Sequence, residues 1–142
     1  MCYHYSNQGE HMRLWHIDLI PKLPSCKDHK GCSNQLGGQH VEIRMILGSI
    51  AKHGEVNHST VNYVNHHPLY YLKAYGLVVM QEMRKRGFNI SKDIFREYYS
   101  DIDAYDMFMQ YRDGGIKTIY PEHDNEYLEE CLVNLKGKGI NI

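Results

Sequence analysis

The sequence predicts an all-α protein, a compact single-domain helical bundle. Apolar residues recur at helical spacing in one stretch after another, helix-stopping Gly and Pro punctuate them, and no stretch alternates apolar and polar residues as a half-buried strand would. At 142 residues the chain is long enough to bury one core without disulfide or metal staples.

Taken in order, residues 1–11 are polar and read as a flexible N-terminal extension ahead of a domain at 12–142. Arg13 to Ile20 mixes Leu14, Trp15, Ile17, Leu19 and Ile20 with polar residues. Pro21 and Pro24 then stop any long helix, so a short helical or extended segment is expected. Residues 25–34 read as a loop. Leu36, Ile43, Ile46, Leu47 and Ile50 define an amphipathic helix over about 35–50, its first turn weakened by Gly37 and Gly38, with Glu42 on the flank of the apolar stripe. A short segment around TVNYVN precedes Pro68. The strongest helix spans about 69–86: Leu69, Leu72, Gly76, Val79, Met80 and Met83 form one face, Arg84 to Arg86 suit the negative end of the dipole, and Gly87 terminates it. Helices are also expected at 91–99 and 102–112. The last begins near Pro121 to Asp124, buries Leu128, Cys131, Leu132 and Leu135, and ends at Gly137. No internal repeat is present.

The formal net charge of -1 hides an uneven distribution. Residues 12–92 carry 11 Lys/Arg against 5 Asp/Glu, and residues 93–142 carry 5 against 11. A basic first part suits a polyanion, and ordinary solvated surfaces give the same count. No apolar run approaches the roughly 18 residues of a membrane span, and the polar start lacks a signal-peptide core, so a cytoplasmic protein with reduced thiols is expected.

No Gly-rich phosphate loop, nucleophile elbow or Cys-x-x-Cys pair is present. Cys26, His29 and Cys32 would be soft zinc ligands, with Cys131, Cys2 or a histidine as the fourth, but their spacing is not that of a structural zinc site and no metal is expected. The ten histidines read as solvated or core-satisfied, and Tyr70, Tyr71 and Tyr75 read as packing residues more than as base-stacking platforms. Glu42, beside an apolar stripe with His40 and Arg44 as neighbours, is either a surface glutamate or a partly buried acid tuned for proton transfer.

Five stretches resemble the pyrimidine dimer DNA glycosylase family of phage-type endonuclease V: MRLWHIDLIPKLP at 12–24, LGGQHVEIR at 36–44, HSTVNYV at 58–64, KRGFNI at 85–90 and IYPEHDNEYLEECLVNLKGKGI at 119–140. The nearer likeness is to a branch of small bacterial proteins. The resemblance implies an all-α domain that binds damaged double-stranded DNA as a monomer, flips a base, and cuts as a glycosylase and abasic-site lyase without a cofactor. It places the amine-bearing residue at Met12 and the catalytic glutamate at Glu42. It also implies DNA contacts from Arg13, His16, Gln39, His40, Arg44, Lys52 and His58. An α-amine titrates near 7.7–8.0, well below a lysine at about 10.4, so it is a competent nucleophile at neutral pH without special burial.

Three departures from the family pattern stand out. Residues 1–11 precede Met12, so the amine is that of Met12 in a chain starting there, that of Cys2 on a flexible arm, or blocked. Val41 and Met45 occupy positions of family arginines. The segment with Cys26, His29 and Cys32 has no counterpart. The alternative on the same fold is a non-catalytic nucleic-acid-binding protein.

Overall fold

The computed structural model describes residues 12–25 and 33–142; the expected extension at 1–11 and the Cys26, His29 and Cys32 positions lie outside the described residues. Among the described residues every regular element is helical, as expected. Residues 12–16 run without helix into a 3-10 helix, Ile17–Lys22, that carries Pro21. Then come α1 (Gln35–His53), a second 3-10 helix (Ser59–His66), α2 (Tyr70–Lys85), α3 (Lys92–Tyr99), α4 (Ile102–Arg112) and α5 (Asn125–Gly137). None of these helices is long and apolar enough to cross a membrane.

The caps explain the boundaries. Asn34, Ser91, Asp101 and Asp124 each accept a backbone N–H of the helix they precede, satisfying donors that have no partner inside the helix. Gly37, which reads as a weak point in the first turn, serves the cap. A Cβ there would stand 2.4 Å from the Asn34 amide nitrogen, so glycine lets the side chain fold back onto the helix.

α2 is the central element, packed on α1, α3, α4 and the first 3-10 helix. Its burial therefore exceeds the single expected face: Ala74, Tyr75 and Leu77 join Leu72, Gly76, Val79, Met80 and Met83. Leu69, placed on that face by spacing, is 39% exposed because it sits in the capping turn ahead of the helix. Tyr75, Tyr98 and Tyr120 are the largest fully buried side chains, so much of the tyrosine content is core.

Gly76 sets how closely α3 approaches α2. A Cβ at this position would lie 2.3 Å from the Tyr98 ring, and that ring is fully buried and cannot swing aside. Gly76→Ala is expected to destabilise the fold by about 1–3 kcal/mol through overpacking, more than the helix-propensity gain, as read from urea unfolding.

Opposite charges from the two parts of the chain pair with one another, mostly at the surface. Arg13 pairs with Glu130 at 2.7 Å, Arg44 with Glu97 at 2.7 Å and Lys73 with Asp101 at 3.5 Å. The basic part thus spends some of its charge on the acidic part.

Candidate active site

The site is built around the short extended segment at 12–16. Such a segment has no ladder partner, so side chains from four elements must satisfy its backbone. From α1, the Gln39 side chain accepts from Trp15 N at 2.7 Å and donates to the Arg13 carbonyl at 2.9 Å. The Tyr75 hydroxyl of α2 lies 2.6 Å from the Trp15 carbonyl and 2.9 Å from Gln39 Oε1. From α5, the Tyr127 hydroxyl donates to the Leu14 carbonyl at 2.5 Å, and Cys131 Sγ accepts from His16 N at 3.4 Å. Thr60 of the second 3-10 helix donates to the Met12 carbonyl.

One further donor matters most. The backbone N–H of Arg13 donates to Glu42 Oε2 at 2.9 Å. Gln35, Gln39 and Glu42 fall at helical spacing on one buried stripe of α1, beside the apolar stripe of Leu36, Ile43 and Ile46. Glu42 is thereby 6% exposed, its carboxylate one residue away from the nitrogen of Met12.

Burial pushes the Glu42 carboxyl up to about 7, against the opposing pull of the Arg13 N–H and the positive charges of Lys138 and Arg13. A carboxyl poised there can take up or release a proton near neutral pH. An aromatic cluster packs on the other end of the segment, at His16. His123 stacks on Tyr127 at 5.0 Å and on His16 at 5.7 Å, with Nε2 2.8 Å from the Tyr63 hydroxyl. Burial, and secondarily His16, holds His123 down to about 3, so it is neutral at physiological pH.

The structure brings Met12, Arg13, Gln39 and Glu42 together, with His58 close by: its Nδ1 is 3.0 Å from the Thr60 hydroxyl. Three of the expected DNA contacts, Arg13, His16 and Gln39, are buried with internal partners. Burial is the largest single influence on Arg13 and opposes its charge, but the bond to Glu130 together with Tyr127 and Cys131 outweighs it, and the guanidinium lies over the Tyr127 ring at 5.6 Å. His16 is buried and caps the first 3-10 helix through Nδ1, and Gln39 is buried among its backbone partners. Arg44 lies two residues from Glu42, hence across the helix from it, paired with Glu97 over the Tyr98 ring. His40 is half-buried, its basicity lowered by burial and then by Arg44. Lys52 is exposed near the end of α1.

Sequence reading did not single out Thr60, Tyr127, Glu130 or Lys138. Thr60 lies in the quoted HSTVNYV stretch, but nothing in its spacing marks it as the partner of residue 12. The α5 residues stand more than a hundred positions from the segment they hold, as the Arg13 to Glu130 separation of 117 shows.

Among the described residues no group of three or more His, Cys, Asp and Glu gathers for a metal, and Cys131 is a buried free thiol. A cavity of about 1050 Å³ opens elsewhere, between Leu77, Val78, Phe95, Tyr105 and Phe108. Neither Met12 nor Glu42 lines it.

No curated protein and no solved structure matches the chain. The family model for pyrimidine dimer DNA glycosylase matches residues 12–96, which takes in Met12, Glu42 and all seven expected DNA contacts and stops short of the 119–140 stretch. With the match covering more than half of an all-helical chain and starting at the segment that Glu42 holds, the protein belongs to the pyrimidine dimer DNA glycosylase family.

Proposed function

We propose that the protein is a DNA-repair glycosylase with abasic-site lyase activity, working in the cytoplasm as a monomer on damaged double-stranded DNA through an amine and Glu42. The observation that carries this reading is the 2.9 Å bond from Arg13 N to Glu42 Oε2, because it holds a carboxyl titrating near 7 next to residue 12. In a chain whose first residue is Met12, its α-amine attacks C1′ of the lesion sugar and the glycosidic bond breaks. The sugar ring opens to an imine, Glu42 takes the C2′ proton, and the 3′ C–O bond breaks with phosphate as leaving group. Only the amine and the carboxyl are required, so no cofactor enters. Residues 12–142 form the catalytic domain, and residues 1–11 are an extension to it.

The test is reduction by borohydride during incubation with duplex DNA carrying an abasic site. A stable protein–DNA adduct is expected. Binding without any adduct would favour the second reading, a non-catalytic nucleic-acid-binding protein on the same fold. One observation supports that reading: in the 142-residue chain the Met12 nitrogen is bound in a peptide link to His11.

Both readings require phosphate contacts from the basic part, with Arg44, Lys52 and His58 nearer solvent than Arg13, His16 and Gln39. Duplex affinity is expected to fall with salt at a log–log slope of about -0.9 per phosphate contacted. Titrations at several salt concentrations check this; a flat response would sink both.

A further inference from the structure

The cleft of about 1050 Å³ is a second concave surface, apart from Glu42. One stripe of α2, with Leu77, Val78, Gln81 and Lys85 at helical spacing, lines it. Phe95 and Tyr99 come from α3, Tyr105 and Phe108 from α4, and Ile17 and Ile20 from the first 3-10 helix. Small-molecule sites run about 300–1,000 Å³, so this volume takes a short stretch of polymer as well as a single small molecule.

The rings come in pairs. Phe95 and Tyr99, one turn apart, meet edge to face at 5.4 Å, and Tyr105 and Phe108 lie 6.5 Å apart. Tyr99 is 40% exposed and Tyr105 42%, so the folded chain leaves these two large side chains partly uncovered. The charges of the lining are three cations, Arg84, Lys85 and Arg112, and one acid, Glu82. Glu82 is already spent on Arg86 at 2.8 Å. The Arg84 guanidinium lies over the Phe95 ring at 4.9 Å, which puts a positive charge against the aromatic wall. Among the described residues no carboxylate pairs with Arg84 or Lys85, and Arg112 has only the adjacent, well-exposed Asp113 at 3.4 Å.

Partly uncovered rings beside unspent cations match a nucleic-acid strand whose bases are unpaired: the bases stack on the rings and the phosphates meet the cations. A duplex keeps its base faces stacked inside and offers them no ring contact. An apolar peptide covers the rings but leaves three cations without partners. We propose that this cleft binds a short stretch of single-stranded DNA, with bases against Tyr99 and Tyr105 and phosphates at Arg84, Lys85 and Arg112. The inference rests on DNA binding, common to both readings above, and uses no step of the lyase chemistry.

The experiment uses the 142-residue protein with a short fluorescent oligothymidylate, read by anisotropy, and an abasic-site duplex as the second ligand. The oligothymidylate is expected to bind, with affinity falling at a log–log slope of about -0.7 per phosphate contacted as salt rises. Tyr99→Ala combined with Tyr105→Ala is expected to weaken that binding about tenfold or more. The thermal melt and the affinity for the abasic duplex are expected to stay close to the parent's. Lys85→Ala, at an exposed position, is expected to lower the salt slope by about 0.7 and keeps the test open should the double variant unfold. Failure of the oligothymidylate to bind at low salt, with the duplex still bound, would overturn the inference and leave the proposed function standing. Single-strand binding that neither variant changes would also overturn it. So would equal weakening of both ligands by the double variant, because the cleft would then belong to the Glu42 site. Dimerisation through Tyr99 and Tyr105 without strand binding, read by sedimentation, would make the cleft a contact between copies instead. Binding of neither ligand overturns the inference together with both DNA readings.

Discussion

Glu42→Gln is expected to bind abasic-site duplex as the parent does and to cut it about 10²–10⁴-fold more slowly, the usual size of a lost general base. The amide keeps the shape of the side chain, and its oxygen still accepts from Arg13 N, so the 12–16 segment stays in place. What disappears is the ability to take a proton from C2′. In the parent, cleavage is expected to rise with pH through about 7 as the buried carboxyl ionises. Stability moves in the opposite sense. Because the folded-state value is raised, the folded protein holds a proton that the unfolded chain releases, so stability is full below the ordinary carboxylate range and falls as pH rises toward about 7. Glu42→Gln removes this loss and is expected to be the more stable protein at pH 8, with the gap closing in acid. Matched melts at pH 4 and pH 8, alongside binding and cleavage assays, check both halves. Equal loss of binding and cleavage would make Glu42 a structural residue.

A chain starting at Met12 is expected to cut abasic DNA faster than the 142-residue chain near pH 7, by up to about 10²–10³-fold. That is the ratio of unprotonated amine separating an ordinary α-amine from an ordinary lysine side chain. The amide nitrogen that Met12 has in the longer chain contributes nothing, since its lone pair is delocalised into the carbonyl. Residue 12 itself is held in both chains by Thr60 on its carbonyl and by Glu42 on the next nitrogen, so the comparison changes the nucleophile while its seat stays the same. Single-turnover cleavage by the two chains, with the trapped adduct mapped in each, decides the matter. Equal rates with the adduct at one shared lysine would remove residue 12 from the mechanism. Transfer of the longer chain's adduct to Cys2 would instead point to an arm reaching back into the site.

The helices were legible because their signals are local. The start near Asp124, the stops at Gly87 and Gly137, and apolar spacing all act within a turn or two, and the expected helix limits fall within about three residues of those observed. The 3-10 form of Ile17–Lys22 was not legible beyond a choice between helix and extension: Pro21 sits inside it, and the carbonyls of Ile20, Pro21 and Leu23 are held by remote Arg86. α2 showed its face by spacing, but its burial nearly all round depends on how many helices surround it.

By itself, the sequence determined the helical class, the order of the elements and, through resemblance, which acid to watch. Periodicity left Glu42 on the flank of a stripe, where a surface glutamate and a catalytic acid look alike. Only the tertiary structure decided between burial and exposure there, because the groups that cover the carboxyl and anchor its neighbours, the 12–16 segment, Tyr75 and α5, come from remote parts of the chain. It also decided which charges are spent, turning Arg13 and Arg44 of the basic part into partners of Glu130 and Glu97. The physical reason is the same in both cases: a side chain's ionisation and reach depend on desolvation and on neighbours in space, and neither is written in the spacing along the chain.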